Sequence, residues 1–319
     1  MKKIILLLTF ITLISCGKDD KITLVGSTGR INHVLIVIKN SDWQGDIGDA
    51  LRDVITKPID GLPQEEYQFS ITQVAPKTFN NLFKRTRNIL FVGFSDEDNF
   101  YTNKNVYAEP QLTVTLLANS EEEIIKSIYT NKEKIISIFK DNDLALYQKK
   151  ITKDFYEPKI IETFKQLDFT FKIPTSYNKV EDTGHFLWYK NTLTTGLLNI
   201  IAYEIPRSDT FDLDFYIKYR DSIGQKYIPG QFDSTYMKTE TRLLPVMQKT
   251  LLSNKKATEL RGLWFVEGDY MGGPFISYAI DDKKNNRLLI LEGFCYYPAS
   301  KKRDLIFEME AILKTVQLN

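Results

Sequence analysis

Hydrophobic residues change their spacing several times along the chain. Residues 4–14 form a run of eleven, nearly all apolar, behind Lys2 and Lys3. A helix that crosses a bilayer needs roughly 20 apolar residues, so this run predicts the core of a secretory signal. After a polar, Gly-containing tether, Val34-Leu35-Ile36-Val37-Ile38 is continuous and β-branched, the pattern of a strand buried on both faces. Further strands are predicted at 68–74, 88–94 and 112–117, with helices near 42–56 and 78–86 and a polar loop at 95–110. Ser120-Glu121-Glu122-Glu123 reads as a capping box, followed at helical spacing by Ile124, Ile125, Ile128, Ile135, Ile136 and Phe139. The helical pattern resumes near Leu144 and runs to about 167, interrupted at Pro158.

Beyond 168 strands dominate, at 169–173, 186–190, 198–205, 241–251, 259–267, 275–280 and 287–294. A helix at 211–226 opens with Asp212 and Asp214 at its positive end. An amphipathic helix at 301–316 carries Leu305, Ile306, Met309, Ile312, Leu313 and Val316. These orders predict an α+β protein. An N-terminal α/β domain with a four-stranded sheet and helices is expected over 31–145, a linking helix over 146–168, and a C-terminal antiparallel-sheet α+β domain over 169–319. The order of strand, helix, β-meander and terminal helix in the second half resembles PsbP/Mog1-type sandwiches, and a shared fold brings no function with it.

Charge is balanced, with 42 Lys and Arg against 41 Asp and Glu, so no overall field favours nucleic acid and none is expected as a partner. The chemistry at the start of the chain is more specific. Leu13-Ile14-Ser15-Cys16 resembles a bacterial lipobox. The resemblance implies a signal peptide of residues 1–15, a diacylglyceryl group on the Cys16 thiol, a palmitate-type chain on the new amine, and a tether over 16–30. One acyl chain anchors only marginally, so three predict lasting attachment to a membrane through Cys16. Gly17 is not the Asp of an inner-membrane retention signal, and Lys18-Asp19-Asp20 resembles the export tag of Bacteroidetes surface lipoproteins. The expected location is the outer membrane, on its inner leaflet or displayed at the cell surface. Cys295 is the only other cysteine; with Cys16 lipidated it has no intrachain partner and is expected as a free buried thiol.

Residues 262–275 are the most distinctive stretch. Between aromatic strands, Gly268, Gly272, Gly273 and Pro274 specify a stiff turn, a candidate binding loop presenting Asp269, Tyr270 and Met271 beside Trp264, or a structural hairpin with packed aromatics. Asp96-Glu97-Asp98 follows one predicted strand and Ser41-Asp42 another. If those strands are parallel neighbours, both loops lie at the strand ends where open α/β sheets take ligands, and the acidic one is a candidate cation site or a solvated turn. Asp182-Thr183-Gly184 copies an aspartic-protease tripeptide but occurs once, where such chemistry needs two carboxylates. No spacing for a metal or a cofactor is found, and none is expected. Among the aromatics, Trp188 and Tyr189, or Tyr296 and Tyr297, are candidates for a glycan platform or for the core.

The Trp-x₃-Gly-Asp-x-Met-Gly-Gly-Pro-Phe stretch at 264–275, with the lipobox and the closing Ile312-Leu313-Lys314-Thr315-Val316, resembles a Bacteroidetes lipoprotein family of unknown function, DUF4837. The resemblance implies an envelope protein over nearly the whole mature chain and carries no catalytic residues with it. The expected function is a non-enzymatic binding or assembly module at the outer membrane, whose partner is an envelope protein or small ligand. Two alternatives are a surface glycan- or nutrient-binding lipoprotein, and a hydrolase or transferase using carboxylates in an interdomain cleft.

Overall fold

The computed structural model describes residues 24–318 apart from 209 and 299, so Cys16 and the lipobox lie outside the described residues. The first lobe comprises β1 (His33–Val37), α1 (Asn40–Gln44), α2 (Asp46–Ile55), β2 (Ser70–Val74), α3 (Asn81–Lys84), β3 (Asn88–Phe94), β4 (Asn99–Lys104), β5 (Leu112–Ala118), α4 (Glu121–Thr130) and α5 (Lys132–Ile151). The second comprises α6 (Glu162–Gln166), β6 (Phe169–Thr170), β7 (Asn178–Asp182), β8 (Phe186–Leu193), β9 (Gly196–Pro206), α7 (Leu213–Tyr227), β10 (Met237–Thr239), β11 (Val246–Leu252), β12 (Lys255–Val266), β13 (Gly272–Asp282), β14 (Arg287–Tyr296), α8 (Arg303–Leu313) and β15 (Gln317–Leu318).

In the first lobe β1, β2, β3 and β5 run parallel and the sheet order is β2-β1-β3-β5-β4. The continuous apolar run of β1 is explained by cover on both faces. Val34, Ile36 and Ile38 meet α2, α4 and α5 through Ile47, Leu51, Ile124 and Phe139, while Leu35 and Val37 face Phe79, Phe83 and Phe91. The sheet has five strands rather than the four expected. The added strand, β4, lies antiparallel to β5 inside what reads as a polar loop. It is an edge strand with little burial on either face, so its sequence, NFYTNK, shows no alternation to announce it. The expected helix at 42–56 is divided by an extended Gly45, and the one expected to reach 167 stops at Ile151.

The second lobe is an antiparallel sheet ordered β10-β12-β13-β14-β9-β8-β7, with β11 also paired to β12. Its central strand β14 alternates between two cores. Leu289, Leu291 and Cys295 face α8 and α6, and Leu288, Ile290 and Phe294 face α7. Helices on both faces make this the expected α+β sandwich. Three short strands, β7, β10 and β15, escape the sequence pattern because each is brief and mostly polar or at an edge. Asp212 caps α7 as read, accepting from Phe215 N at 2.9 Å. Asp182, of the protease-like tripeptide, accepts from the Glu162 and Thr163 amides at 2.8 Å and so caps α6.

A buried polar cluster joins α7 to the sheet. The Arg220 guanidinium donates to Glu292 at 2.7 Å and to Thr239 Oγ1 at 2.9 Å, and lies 4.1 Å from the Phe275 ring. Tyr216 OH also donates to Glu292, at 3.2 Å. Removing one member of such a pair strands a charge in the core, at a cost of about 3–5 kcal/mol. Arg220→Met is therefore predicted to lower unfolding free energy by about that amount in urea titrations. The double variant Arg220→Met/Glu292→Leu should recover most of the loss.

Candidate functional site

The lobes meet around α8, and the contact is built from its ends inward. Its first turn has no cap of its own, since Lys302 stands at the N-cap position. The first lobe supplies one. Buried Glu66 accepts from Lys302 N at 2.6 Å and Arg303 N at 3.1 Å. Asn32 Nδ2 donates to Asp304 at 3.0 Å, and Arg303 donates to Tyr67 O and Ser70 Oγ at 3.1 Å. Farther along, Phe307 and Ala311 pack on Leu144 of α5, and Gln148 Nε2 donates to Ala311 O at 3.1 Å. On its opposite side α8 rests on the sheet through Ile306, Met309 and Ile312. A Cβ on Gly61, at φ +75°, would lie 2.8 Å from the Arg261 backbone, so the first lobe's loop presses directly on β12.

Beside this contact lies a cleft of about 920 Å³ lined by both lobes. Charged residues form its floor. Glu310 projects from α8 and its side chain is 2% exposed. It meets Lys140 of α5 and Lys314 at 2.8 Å, and accepts from Arg261 at 2.7 Å. Arg261 also donates to Glu259 at 2.7 Å, and Glu259 accepts from Tyr278 OH at 2.8 Å. Burial pushes the Glu310 carboxyl up, but Lys140, Arg261 and Lys314 together override it and hold it well below the usual carboxylate range. Glu259 is raised by burial, lowered by Arg261, raised by Glu310 and lowered by Lys140, and it too ends below the ordinary value. Both carboxylates are thus ionised and occupied near neutrality. The arrangement can clamp two lobes and bind polar groups; it holds no protonated acid.

The sequence candidates lie elsewhere. Trp264 is buried, with its Nε1 donating to Cys295 O at 3.3 Å and its ring edge-on to Phe294. Gly272, Gly273 and Pro274 belong to β13, not to a loop, and Gly273 is required by close approach: a Cβ there would sit 2.0 Å from Cys295 O. Met271 packs partly against the core beneath α7. Only Gly268, Asp269 and Tyr270 form the turn; Gly268 takes φ +79°, Asp269 accepts from Tyr270 N at 2.6 Å, and Tyr270 is fully exposed. Asp96, Glu97 and Asp98 form an exposed turn from β3 to β4. Strands β1 and β3 are parallel neighbours, so this turn and Ser41-Asp42 do share one end of the sheet. Neither the 269 turn nor the 96–98 turn lines the cleft. Among the described residues no group of three or more His, Cys, Asp or Glu is placed to hold a metal ion. Tyr189 is buried and Trp188 donates to Asn199 at 3.0 Å. Cys295 is a free buried thiol, its pKa pushed up to about 12 chiefly by burial.

Sequence reasoning missed Glu310 and Arg261, though one signal was present. Glu310 is four residues from Ile306 and three from Leu313, on the apolar stripe of the terminal helix, where a lone acid demands a buried cation. No local pattern points to Glu66, whose partner amides are 236 and 237 positions away.

These features define a two-lobed α+β protein with a charged cleft at the seam. Residues 157–315 match the model of a domain of unknown function, DUF4837, and through that span the chain belongs to this family. The match covers half of the stretch expected to carry it, because residues 27–152 match a different domain of unknown function, DUF8532. No curated protein matches. Solved structures also resemble parts of the chain, the following three among them. Cyanobacterial PsbP (CyanoP) from Synechocystis sp. PCC 6803 shares 12% identity, covers 49% of this chain and 88% of its own, and has a TM-score of 0.33. LpqN of Mycobacterium tuberculosis, involved in cell envelope biogenesis, shares 10% identity over 47% of this chain and 83% of its own, with a TM-score of 0.27. PA94 of Pseudomonas aeruginosa, a protein of unknown function described as a putative regulator, shares 14% identity over 40% and 76%, with a TM-score of 0.23.

The ionised cluster gives stability a definite pH dependence. Because Glu259 and Glu310 take up protons less readily when folded, the unfolded chain protonates first on acidification. Their contribution is complete above about 4.5 and is lost as pH falls through the lower folded-state values. The urea midpoint is predicted to drop steeply below pH 4.5 in the parent protein. In Glu310→Gln it should start lower and fall less steeply.

Proposed function

We propose that the protein is a lipid-anchored component of the bacterial cell envelope, held at the outer membrane through Cys16. There it acts as a non-enzymatic binding or assembly module. Its two domains, over 31–145 and 169–319, are joined through residues 146–168. The anchor rests on the charged start, the short apolar core and the lipobox at 13–16. Among the described residues no helix is long and apolar enough to cross a membrane, which is compatible with a lipid as the attachment. The non-enzymatic reading rests on one observation: of the carboxylates that line the cleft, the two bound to Arg261, Glu259 and Glu310, are both held ionised by Arg261 and its neighbours. A hydrolase or transferase of the paired-carboxylate kind needs one of them to carry a proton at working pH.

Two measurements test this reading. Mass spectrometry of the protein from its native host should find an N-terminal Cys16 peptide bearing three acyl chains; an unmodified thiol there would remove the anchor. Broad hydrolase and transferase profiling should give no turnover. Turnover abolished by Glu259→Gln, in a variant that still folds, would establish the enzyme instead. Protease accessibility on intact cells then decides between surface display and the inner leaflet.

A further inference from the structure

The sheet of the second lobe has one guarded edge and one open edge. At one side, β7 carries Lys179, Glu181 and Asp182 and breaks register between Lys179 and Glu181, the usual defences against unwanted pairing. At the other, β11 reads Val246-Met247-Gln248-Lys249-Thr250-Leu251-Leu252, with one charge and no proline. It pairs with β12 along all seven residues, without a register shift. The apolar surface around it is exposed: Leu251 at 69%, and Leu243 and Leu244, in the approach to the strand, at 63% and 64%.

The hairpin geometry fixes which backbone groups are free. Ser253 and Asn254 form a two-residue turn with φ +50° and +59°, between the paired residues Leu252 and Lys255. Such a turn makes its closing pair the hydrogen-bonded one, and bonded and non-bonded pairs alternate from there. The N–H and C=O groups of Leu251, Lys249 and Met247 therefore point away from β12. Among the described residues none of these three makes a backbone bond on that side.

We propose that β11 is a docking edge that accepts an extended strand from another protein, extending the sheet. Its side chains specify the occupant. Met247, Lys249 and Leu251 share one face, so the incoming strand should carry an acidic residue opposite Lys249 with apolar residues two positions to either side. A second copy of β11 paired over its full length would set Lys249 against Lys249, and β11 contains no acid to relieve that. Charge complementarity thus favours a heterologous strand over self-pairing. The inference rests on the binding and assembly reading above, and is independent of the lipid anchor.

The probe is a blocked seven-residue peptide, Thr-Val-Thr-Glu-Thr-Val-Thr, with a twin carrying Lys for Glu, titrated into the purified soluble chain. The readouts are affinity and amide exchange at Lys249 and Leu251. The parent protein should prefer the Glu peptide by about fivefold, the scale of one cross-strand charge pair, and protect both amides. Lys249→Glu should reverse the preference. Leu251→Pro removes an outward N–H without touching a β11–β12 bond, and should abolish binding of both peptides. Equal binding of the two peptides, binding that survives Leu251→Pro, or a dimer dissolved by that substitution would each overturn the proposal. A partner recovered from the native envelope whose capture is unchanged by Leu251→Pro would remove β11 as the docking site while leaving the binding reading in place.

Discussion

A buried acid on the apolar face of the terminal helix is the constraint on which the rest of this structure depends. Glu310 has no access to water, so it requires cations, and the nearest come from three directions: Lys140 in the first lobe, Arg261 on the sheet, and Lys314 one turn along its own helix. Satisfying one carboxylate therefore fixes the relative position of two sheets. Glu66 repeats the logic at the helix start, where the first lobe supplies the oxygens that the local sequence does not. Buried ion pairs add little net stability over apolar packing, but they penalise every alternative arrangement that leaves a partner alone. Here that penalty enforces how the lobes join.

This division of labour bears on function. The polar groups that first attract attention in the cleft are consumed by the joint, and the glycines and tryptophan of the 264–275 stretch are consumed by packing. Gly273 lies against Cys295 O, and Trp264 donates to that same carbonyl. Both are features of how β13 passes β14, so the most distinctive motif of the chain is chiefly a folding requirement. What remains available is surface: an exposed turn at Asp269 and Tyr270, an acidic turn at 96–98, and the open edge of β11. Of these only β11 combines unpaired backbone with exposed apolar side chains.

Much of the architecture was legible in the sequence because burial on both faces writes continuous apolar runs. Strands β1 and β14 could hardly be read as anything else. Capping was legible where it is local, as at Ser120, which accepts from Glu123 N at 3.3 Å, and at Asp212. Strand β4 was not, since an exposed edge leaves no periodic trace, nor were β7 and β10. The cleft was invisible for a different reason: Lys140, Arg261 and Glu310 lie far apart in the chain, and pairing over such distances has no local signature. The one trace, an acid among Ile306, Met309 and Leu313, was present but reads as noise until a partner is known.

The central claim is that the charged joint makes two separately matched regions, 27–152 and 157–315, behave as one cooperative body. Differential scanning calorimetry of the parent chain and of Glu310→Gln tests it directly. The account predicts a single transition for the parent and two resolved transitions for the variant, as each lobe melts on its own. A single transition in the variant at the parent's temperature would contradict it.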